Sequence, residues 1–405
     1  MLRPYAFPHE LAIVAIMKNE GDYVQEWLDY HLSAGVTKFY LYDNESDDNT
    51  TAILQPYIQR GQVDYTFFPG DFMQMPAYND ALRRHKFDCR YMAAIDLDEF
   101  IFPCGGKDIP STVKDIFALS PGAGGAAINW RTFGSNGHTR KDLSRGVLDR
   151  FTKRAADGFN SDTCVKSVVN PRCADIFPNS HFAVYYVGKY AVNELGEVVH
   201  TYYSSRFSGQ KIQVNHYFTK SQEEFMTKRE RGRADIGGRE TLEEFKLKDV
   251  NDVFDDGIIK YRAFLENRPE AESLHKPKDI IKAMTEFDAS LNDGELGGRV
   301  DDLLGYWRFC RAELPRYMGK GKRTDYFSEV ILAGLSKAFE LPQPMWQCEL
   351  FLSVMPELML FNRSRVLGIL KKIYPFMRDS YRQNFRWHRY EGLELLYNSL
   401  SAMEA

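Results

Sequence analysis

The order of apolar and amphipathic segments in the first hundred residues is the feature that most constrains the fold. The run LAIVAIM at residues 11–17 has no polar interruption, which is typical of a strand buried on both faces. Strand patterns at 37–42, 62–68 and 90–95 follow it, and a helical pattern separates each strand from the next. Because parallel strands need such crossover helices, the order predicts an α/β fold built on a parallel sheet.

The rest of the chain changes character twice. Between about 120 and 220, short strand patterns alternate with Gly, Asn and Pro turns, which predicts the second half of a mixed α/β domain. After about 222, apolar residues recur at helical spacing; the clearest are Leu332, Leu335, Phe339, Val366, Leu367, Leu370 and Ile373. We therefore predict an α/β domain over residues 1–235 and a mainly helical C-terminal region over residues 236–405.

Composition and charge exclude several classes of protein. The formal net charge of −4 is not that of a bulk nucleic-acid binder, which is normally basic. No apolar run reaches the roughly 18 residues of a membrane span, and the N-terminus lacks the apolar core of a signal peptide. The six cysteines have neither CxxC pairs nor zinc-ligand spacing, which favours free thiols in a reducing compartment. We therefore expect a cytoplasmic protein.

The strongest chemical signal is the segment AAIDLDEF at residues 93–100, which includes the end of the fourth predicted strand. In an extended chain, side chains two residues apart point to the same side, so Asp96 and Asp98 can converge on one cation. Carboxylate oxygens suit Mg²⁺ or Mn²⁺, which bind substrate phosphates and stabilise a departing diphosphate. The alternative is that this DxD motif caps a helix or forms a surface ion pair.

Three further polar segments accompany the predicted strands. They are KNE at 18–20, YDNESDDNT at 42–50 and QMPAYND at 74–80. In open α/β sheets, ligands bind beyond the carboxyl ends of the strands, so one crevice would gather these segments with the DxD motif. Turn chemistry explains each segment alone equally well, because Asp, Asn and Ser favour turns and helix N-caps.

As a set, these motifs resemble glycosyltransferases of the GT-A fold. The resemblance also includes NHYFTKSQEEFMTKRERGRA at 215–234 and covers about residues 8–235. More narrowly, the motifs resemble glycosyltransferase family 92 and related family-2-like bacterial enzymes. The resemblance implies a Rossmann-like mixed sheet that has a nucleotide-binding half and an acceptor half.

The resemblance also implies roles for residues around the nucleotide. Asn19 and Glu20 would lie beside the nucleoside, and Asp43 would hold the base, expected to be uracil. Three residues would line the nucleotide cleft or face the ribose and the metal: Asn44, Asn79 and Asp96. Asp98 would bind the metal that holds the diphosphate. The segment YDNESDDNT departs from the usual YDDGSxDxT at its third and fourth positions, which puts the detailed base contacts in doubt.

Side chains after residue 215 would complete the diphosphate site. GT-A enzymes often bring a late histidine or basic residue to the diphosphate, which implies that His216 would bind the metal. Lys220 or Arg229 would then balance the phosphate charge. The alternatives are a core histidine and a solvated polar helix face, and the second interpretation also covers KRERGR at 228–233.

An inverting transfer also needs a general base that takes the proton of the acceptor hydroxyl. The sequence leaves three candidates open: Asp162 in the polar loop GFNSDTC, His181 after PNS, and Glu99 beside the metal motif. Asp162 is equally explained as a turn residue, and His181 as a packed residue at a strand edge.

The expected function is transfer of a hexose from a nucleotide-diphospho sugar, a UDP-sugar, to a glycan hydroxyl. Mn²⁺ or Mg²⁺ is the expected cofactor, and polysaccharide biosynthesis is the expected context. A lipid-linked glycan acceptor would bring the protein to the membrane periphery.

Two other classes of function stay open. A sugar nucleotidyltransferase normally has a Gly-rich, basic phosphate loop after its first strand, whereas KNEGDYVQEW has only one glycine. A non-catalytic scaffold in polysaccharide assembly is the second alternative, and its function would not depend on the Asp98 carboxylate.

Overall fold

In a computed structural model of the protein, the described residues are 7–230, 242–267, 300–308 and 322–402. Contacts divide the chain into two compact units. The α/β unit contains Phe7–Tyr185 and Lys189–Glu272, and the helical unit contains Tyr186–Gly188 and the described part of Ser273–Ala405. The predicted domain boundary between residues 235 and 236 lies outside the described residues.

The α/β unit alternates strands and helices along its first half. Its strands are β1 (His9–Met17), β2 (Lys38–Asp43), β3 (Val63–Phe67), β4 (Cys89–Ala94), β5 (Glu99–Pro103), β6 (Ala123–Thr132), β7 (Lys153–Arg154), β8 (Val165–Val169), β9 (Ala174–Ile176), β10 (Val184–Tyr185), β11 (Tyr190–Val192), β12 (Val198–Val199), β13 (Ile212–His216) and β14 (Val253–Phe254). Its helices are α1 (Val24–Ser33), α2 (Thr50–Gln59), α3 (Gln74–Arg84), α4 (Ile109–Ala118), α5 (Val147–Arg150), α6 (Gln222–Glu230), α7 (Leu242–Lys248) and α8 (Gly257–Glu266). The four strands predicted first are therefore confirmed within two residues at each end.

One mixed sheet organises the α/β unit. Its main path runs β12-β11-β6-β8-β4-β1-β2-β3, and β13 joins it through β6 and also pairs with β5. β1 is parallel to β2 and β4, and β2 is parallel to β3, which makes one half of the sheet parallel. β8 is antiparallel to both β4 and β6, so the other half is mixed. The predicted architecture, a parallel half followed by mixed strands, is confirmed.

Residues 11–17 of β1 show why the run LAIVAIM has no polar residue. Leu11, Ile13 and Ala15 pack into a core on one face of the sheet, whereas Ala12 and Val14 belong to a second core on the other face. Helices α1 and α4 contribute apolar residues to the first core, and α3 contributes to the second. A strand covered on both faces needs apolar side chains at every position.

The helical unit confirms the helical C-terminal region. Residues 300–308 are helical, and longer helices span Lys322–Ala338, Met345–Gln383 and Trp387–Ala402. The second of these is interrupted at Asn362, whose backbone angles are not helical. Within the described part of the chain, no helix is both long enough and apolar enough to cross a membrane.

The described cysteines carry free thiols, as the sequence predicted. They are Cys89, Cys104, Cys164, Cys173 and Cys348. Cys310 lies outside the described residues.

A buried histidine couples the stability of the α/β unit to pH. His31 has no exposed surface; its Nδ1 lies 2.8 Å from the Trp27 carbonyl oxygen, and its Nε2 accepts from the Ile101 amide at 3.3 Å. The ring stacks on Phe100, with 5.6 Å between the ring centroids. Burial disfavours the charged imidazolium and lowers the pKa of His31 from 6.5 to about 3. The folded state therefore holds this imidazole neutral.

We expect acid to destabilise the protein through His31. Because its pKa is lowered in the folded state, its contribution is fully present above pH 6.5 and is lost as the pH falls from 6.5 towards 3. Between pH 7 and pH 4.5 the wild-type protein should lose about 2 kcal/mol more unfolding free energy than His31→Gln. Urea unfolding at both pH values measures this difference. The exposed His200, changed to Gln, is the control, and equal losses in His31→Gln and wild type would contradict the prediction.

Candidate active site

The carboxyl ends of several strands bring the predicted site residues to one edge of the sheet. The parallel pairing of β1 with β2 and β4 places the segments that follow these strands side by side. β13 ends at His216, which pairs with Glu99 of β5 and with Thr132 of β6. The Tyr217 amide donates to the Asp98 carbonyl oxygen at 2.8 Å. The DLD segment and the end of β13 are thus joined by backbone hydrogen bonds.

Asp98 is a buried anion. Only 4% of its surface is exposed, its carboxylate forms an ion pair with the Lys228 ammonium, and His216 Nε2 lies 3.8 Å from Oδ2. Burial alone would raise the pKa of this carboxyl, but the positive charge of Lys228 outweighs it and holds the pKa of Asp98 well below its usual range. Asp98 is therefore charged at neutral pH.

The side chains around Asp98 differ in charge. Burial lowers the pKa of His216 to about 3, so its imidazole is neutral at physiological pH. Burial also lowers the pKa of Lys220, whose ammonium lies 3.7 Å from the centre of the Tyr23 ring. The neutral imidazole of His216 and the amines of Lys220 and Lys228 thus lie around the Asp98 carboxylate.

Asp96 belongs to a second charge cluster, centred on Lys166. The Lys166 ammonium lies 2.9 Å from the Asp96 carboxylate and 3.2 Å from that of Glu99. Gln74 Nε2 and the Tyr78 hydroxyl donate to the other Asp96 oxygen at 2.7 and 2.9 Å. Burial alone would lower the pKa of Lys166, but the two carboxylates outweigh it and raise it. Lys166 therefore stays charged and contacts both carboxyl groups, while burial raises the pKa of Glu99 to about 8.

The segment after β2 is tied to its neighbours by hydrogen bonds. Asp43, with 1% of its surface exposed, accepts from the Ser46 amide at 3.0 Å and from the Tyr65 hydroxyl at 2.6 Å. The side-chain amide of Asn44 donates to the carbonyl oxygens of Phe68 and Gly70 at 3.1 and 2.8 Å. These bonds fix the loop that the resemblance assigns to the nucleotide base.

The segment after β1 packs against the same loop. Asn19 has a positive φ of 53°, and its amide nitrogen donates to the Ser46 hydroxyl at 2.9 Å. The Asn19 side chain exchanges two hydrogen bonds with Asp47, and the Glu20 amide donates to the Thr50 hydroxyl at 3.0 Å. The structure therefore brings Asn19, Glu20 and the Asp43 loop together.

Two predicted residues have structural contacts that the sequence did not indicate. The Asn79 side chain exchanges hydrogen bonds with the backbone of Phe177, at 2.7 and 3.0 Å, which ties α3 to the segment after β9. Arg229 is 6% exposed, and its guanidinium lies over the rings of Phe218 and Phe225. The interpretation of KRERGR as a solvated polar face is wrong for Arg229, because aromatic side chains bury it; residues 231–233 lie outside the described residues.

The three general-base candidates differ in how their polar atoms are engaged. Glu99 is fully buried and pairs with Lys166. It also accepts hydrogen bonds from the Asp96 amide at 2.9 Å and from the Trp130 indole at 2.8 Å. Asp162 is 1% exposed and accepts from the Thr132 amide and hydroxyl and from Arg131, an arrangement that braces β6.

His181 is the third candidate, and a hydrogen bond to the backbone orients its ring. Its Nδ1 lies 3.1 Å from the Val165 carbonyl oxygen, which assigns the ring proton to Nδ1. In that tautomer Nε2 is the nitrogen that can take up a proton. His181 is partly exposed, and its ring centroid is 4.8 Å from that of Trp130.

An open cleft lies beside Asp98. It has a volume of about 140 Å³, and its lining includes Asn19, Glu20, Tyr23, Lys220 and Lys228. Because Lys228 both lines this cleft and binds Asp98, the buried anion and the cleft form one site. A cleft that combines convergent polar groups with perturbed pKa values is the usual form of a binding site.

Lys228 and Lys166 are two charged site residues that the sequence did not indicate. Lys228 stands in the basic segment that was interpreted as a helix face, and Lys166 stands in the strand β8. A lone charged residue in a short strand that is mostly valine, VKSVV, is unusual enough to suggest a buried ion pair. No local signal identifies Lys228.

The predicted metal ligands do not form one cluster. Among the described residues, no group of three or more His, Cys, Asp and Glu side chains could hold a metal ion. Asp96 is engaged by Lys166, as described above. Asp98 and His216 provide an anionic oxygen and a neutral nitrogen, which suit a divalent ion that takes its other ligands from a diphosphate.

Comparison with known proteins gives the family. The model of glycosyltransferase family 92 matches residues 14–256, which is more than half of the chain. The chain belongs to glycosyltransferase family 92. The match contains the cleft, Asp98, Lys166 and Lys228.

Curated relatives carry the same family name. A family 92 protein of Oryza sativa subsp. japonica is 24% identical over 209 residues, which is 50% of this chain and 35% of the rice protein. One of Ricinus communis is 25% identical over 148 residues, which is 36% of this chain and 27% of that protein. The chain thus spans about a third or less of the length of these relatives.

Solved structures show only a weak likeness. Residues 1–349 of S. aureus TarS match 93% of this chain and 92% of that chain, at 13% identity and a TM-score of 0.28. The same TarS segment in complex with UDP matches at 11% identity and a TM-score of 0.27, covering 96% of this chain and 91% of that chain.

Proposed function

We propose that this protein transfers a hexose from a UDP-sugar to a hydroxyl of a glycan, with inversion at the anomeric carbon and with Mn²⁺ or Mg²⁺ as cofactor. The observation that carries the proposal is the buried Asp98 anion beside Lys228 and Lys220 at an open cleft. A nucleotide diphosphate needs both a cation-binding carboxylate and compensating positive charge. Membership of family 92 supports the reaction class.

The metal would be held by Asp98 and His216. Bound there, a divalent ion would offset the negative charge that develops on the departing diphosphate. Asp98 remains charged at neutral pH and His216 remains neutral, which are the protonation states that a metal ligand requires.

Lys228 and Lys220 contact the diphosphate in this proposal. Both side chains line the cleft, and Lys228 is 30% exposed while bound to Asp98. A bound diphosphate offers the Lys228 ammonium a second anionic partner. Charge-assisted hydrogen bonds of this kind are about twice as strong as neutral ones.

His181 acts as the general base in this proposal. It takes the proton of the attacking hydroxyl at Nε2, while Nδ1 donates to the Val165 carbonyl and keeps the ring oriented. The contacts of Glu99 and Asp162 favour structural roles for these two carboxylates, because both accept several hydrogen bonds inside the fold.

Nucleotide binding tests the proposal directly. Isothermal titration calorimetry with UDP, GDP, dTDP and CMP, with and without Mn²⁺, should give the lowest Kd for UDP with Mn²⁺. Lys228→Met should raise this Kd about tenfold, because a charged hydrogen bond to phosphate is worth on the order of 1.4 kcal/mol.

Lys260→Met is the matched control for this experiment. Lys260, on α8, pairs with Asp256, and its side chain is 75% exposed, so the Kd should not change. Failure of UDP to bind in the presence of Mn²⁺ would overturn the UDP-sugar proposal. Consumption of a nucleoside triphosphate with release of pyrophosphate would favour the nucleotidyltransferase alternative.

A further inference from the structure

A row of ring side chains leads from His216, the proposed metal ligand, to the protein surface. The ring centroids of His216 and Trp130 are 4.2 Å apart, and those of Trp130 and His181 are 4.8 Å apart. Tyr202 follows at 6.3 Å from His181, and Tyr203 at 5.0 Å from Tyr202. We call Trp130, His181, Tyr202 and Tyr203 the aromatic row.

Hydrogen bonds of the side chain and of the backbone hold the row in position. Trp130 lies near the end of β6, next to β13, and its indole donates to Glu99 at 2.8 Å. The Val165 amide donates to the Tyr202 carbonyl oxygen at 3.0 Å, and Tyr203 forms a β-bridge with Cys164. Tyr202 and Tyr203 therefore belong to a segment whose backbone pairs with the start of strand β8. A preorganised surface of this kind loses little entropy on binding.

The outer part of the row is exposed although its side chains are large and partly apolar. Tyr202 and Tyr203 keep 49% and 48% of their surfaces exposed, and Trp130 is half-buried. Contiguous exposed aromatic surface next to a polar site marks a binding surface more often than chance exposure. Tyrosine adds a hydroxyl that can form hydrogen bonds at the edge of such a surface.

A pyranose ring matches this surface. One face of the ring presents C–H bonds that pack on aromatic side chains, and its hydroxyls need hydrogen-bonding groups beside that apolar contact. The row runs continuously to His181 and His216, so a sugar bound along it would have a hydroxyl close to both the proposed base and the metal site.

We propose that the aromatic row binds the acceptor glycan, with pyranose rings packed on Tyr202 and Tyr203 and the reacting end at Trp130 and His181. This inference rests on the proposed function, since it assigns the acceptor to the same site. The row takes a chain of two or more sugar units, because its rings extend over several successive contacts.

Sugar binding can be measured without any turnover. Saturation-transfer difference NMR and calorimetry would be run with cellohexaose, maltohexaose, laminarihexaose and chitohexaose on the full chain. At least one hexasaccharide should bind, and its Kd should rise at least tenfold in Tyr202→Ala and in Tyr203→Ala. Both side chains are half exposed, so these variants should keep the fold.

Phe264→Ala is the matched control, because Phe264 on α8 is 48% exposed and lies outside the row. Its Kd for the hexasaccharide should equal that of the wild type. If no hexasaccharide binds, or if both tyrosine variants bind as wild type, the aromatic row is not the acceptor site.

Parallel assays separate this inference from the proposed function. Asp98→Asn should bind the hexasaccharide with unchanged Kd while it loses transfer of hexose. Sugar binding that depends on Tyr202, in a protein that neither binds nor turns over a UDP-sugar, would leave the glycan site standing and remove the proposed reaction. If the protein turned over a UDP-sugar but Tyr202→Ala left the Kd for the hexasaccharide unchanged, the proposed reaction would stand and the glycan site would be removed.

Discussion

Asp98→Asn is expected to lower kcat/KM for hexose transfer at least 100-fold, which corresponds to about 2.7 kcal/mol of transition-state stabilisation. The change keeps the size of the side chain but removes the charge of a carboxylate that is 4% exposed and adjacent to His216. Without that charge, the site loses the anionic ligand of the proposed metal and the partner of Lys228. The rate of UDP release from a UDP-hexose, with acceptor and Mn²⁺ present, measures the effect.

A matched carboxylate separates this effect from general loss of charge. Asp115 on α4 pairs with Lys107 and is 59% exposed, so Asp115→Asn should keep wild-type activity. Both variants should show the circular dichroism spectrum of the folded protein. If folded Asp98→Asn retained more than half of the wild-type kcat/KM, Asp98 would not be the proposed metal ligand. A folded wild-type protein that transferred no hexose would favour the scaffold alternative.

Lys166→Met is expected to cost about 3–5 kcal/mol of unfolding free energy, since it leaves a buried carboxylate without its partner. The Lys166 side chain is 1% exposed, Glu99 is fully buried, and 3.2 Å separates their charged atoms. Asp96, which also contacts Lys166, is 32% exposed and can be solvated in part. The loss should therefore come mainly from Glu99. Burial raises the pKa of Glu99 to about 8, so urea denaturation at pH 9, where this carboxylate is charged, gives the unfolding free energy.

The double variant Lys166→Met/Glu99→Gln tests the cause of that loss. Neutralising Glu99 removes the unpaired charge, so the double variant should be at least about 1 kcal/mol more stable than Lys166→Met alone. Lys153→Met, at an exposed position of β7, should stay within about 0.5 kcal/mol of wild type. A double variant less stable than the single one would show that Lys166 stabilises the fold through packing and not through charge.

Sequence periodicity was a good guide to the parallel half of the sheet. The run LAIVAIM predicted a strand covered on both faces, and its alternate residues do belong to two separate cores. Asp43, Asp96 and Asp98 follow predicted strands and lie at the same edge of the sheet. These predictions succeeded because hydrophobic pattern and strand ends are local properties of the chain.

Helical pattern was a weaker guide to the basic segment after residue 227. The residues of α6 show little segregation of apolar and polar side chains, so periodicity could not say which side faces the core. In the fold, Lys228 binds Asp98, 130 residues earlier in the chain, and Arg229 packs between Phe218 and Phe225. Both contacts depend on where α6 lies against the sheet.

The sequence by itself determined the α/β class, the order of the first four strands, and the position of the DLD motif after β4. The tertiary structure alone decided the charge partners of that motif. Lys166 meets Asp96 and Glu99 because β8 enters the sheet antiparallel between β4 and β6. The aromatic row likewise depends on which strands are neighbours. The local pattern of residues indicates which secondary structure each segment forms. Long-range strand pairing decides which side chains come into contact, and the chemistry of this site depends on those contacts.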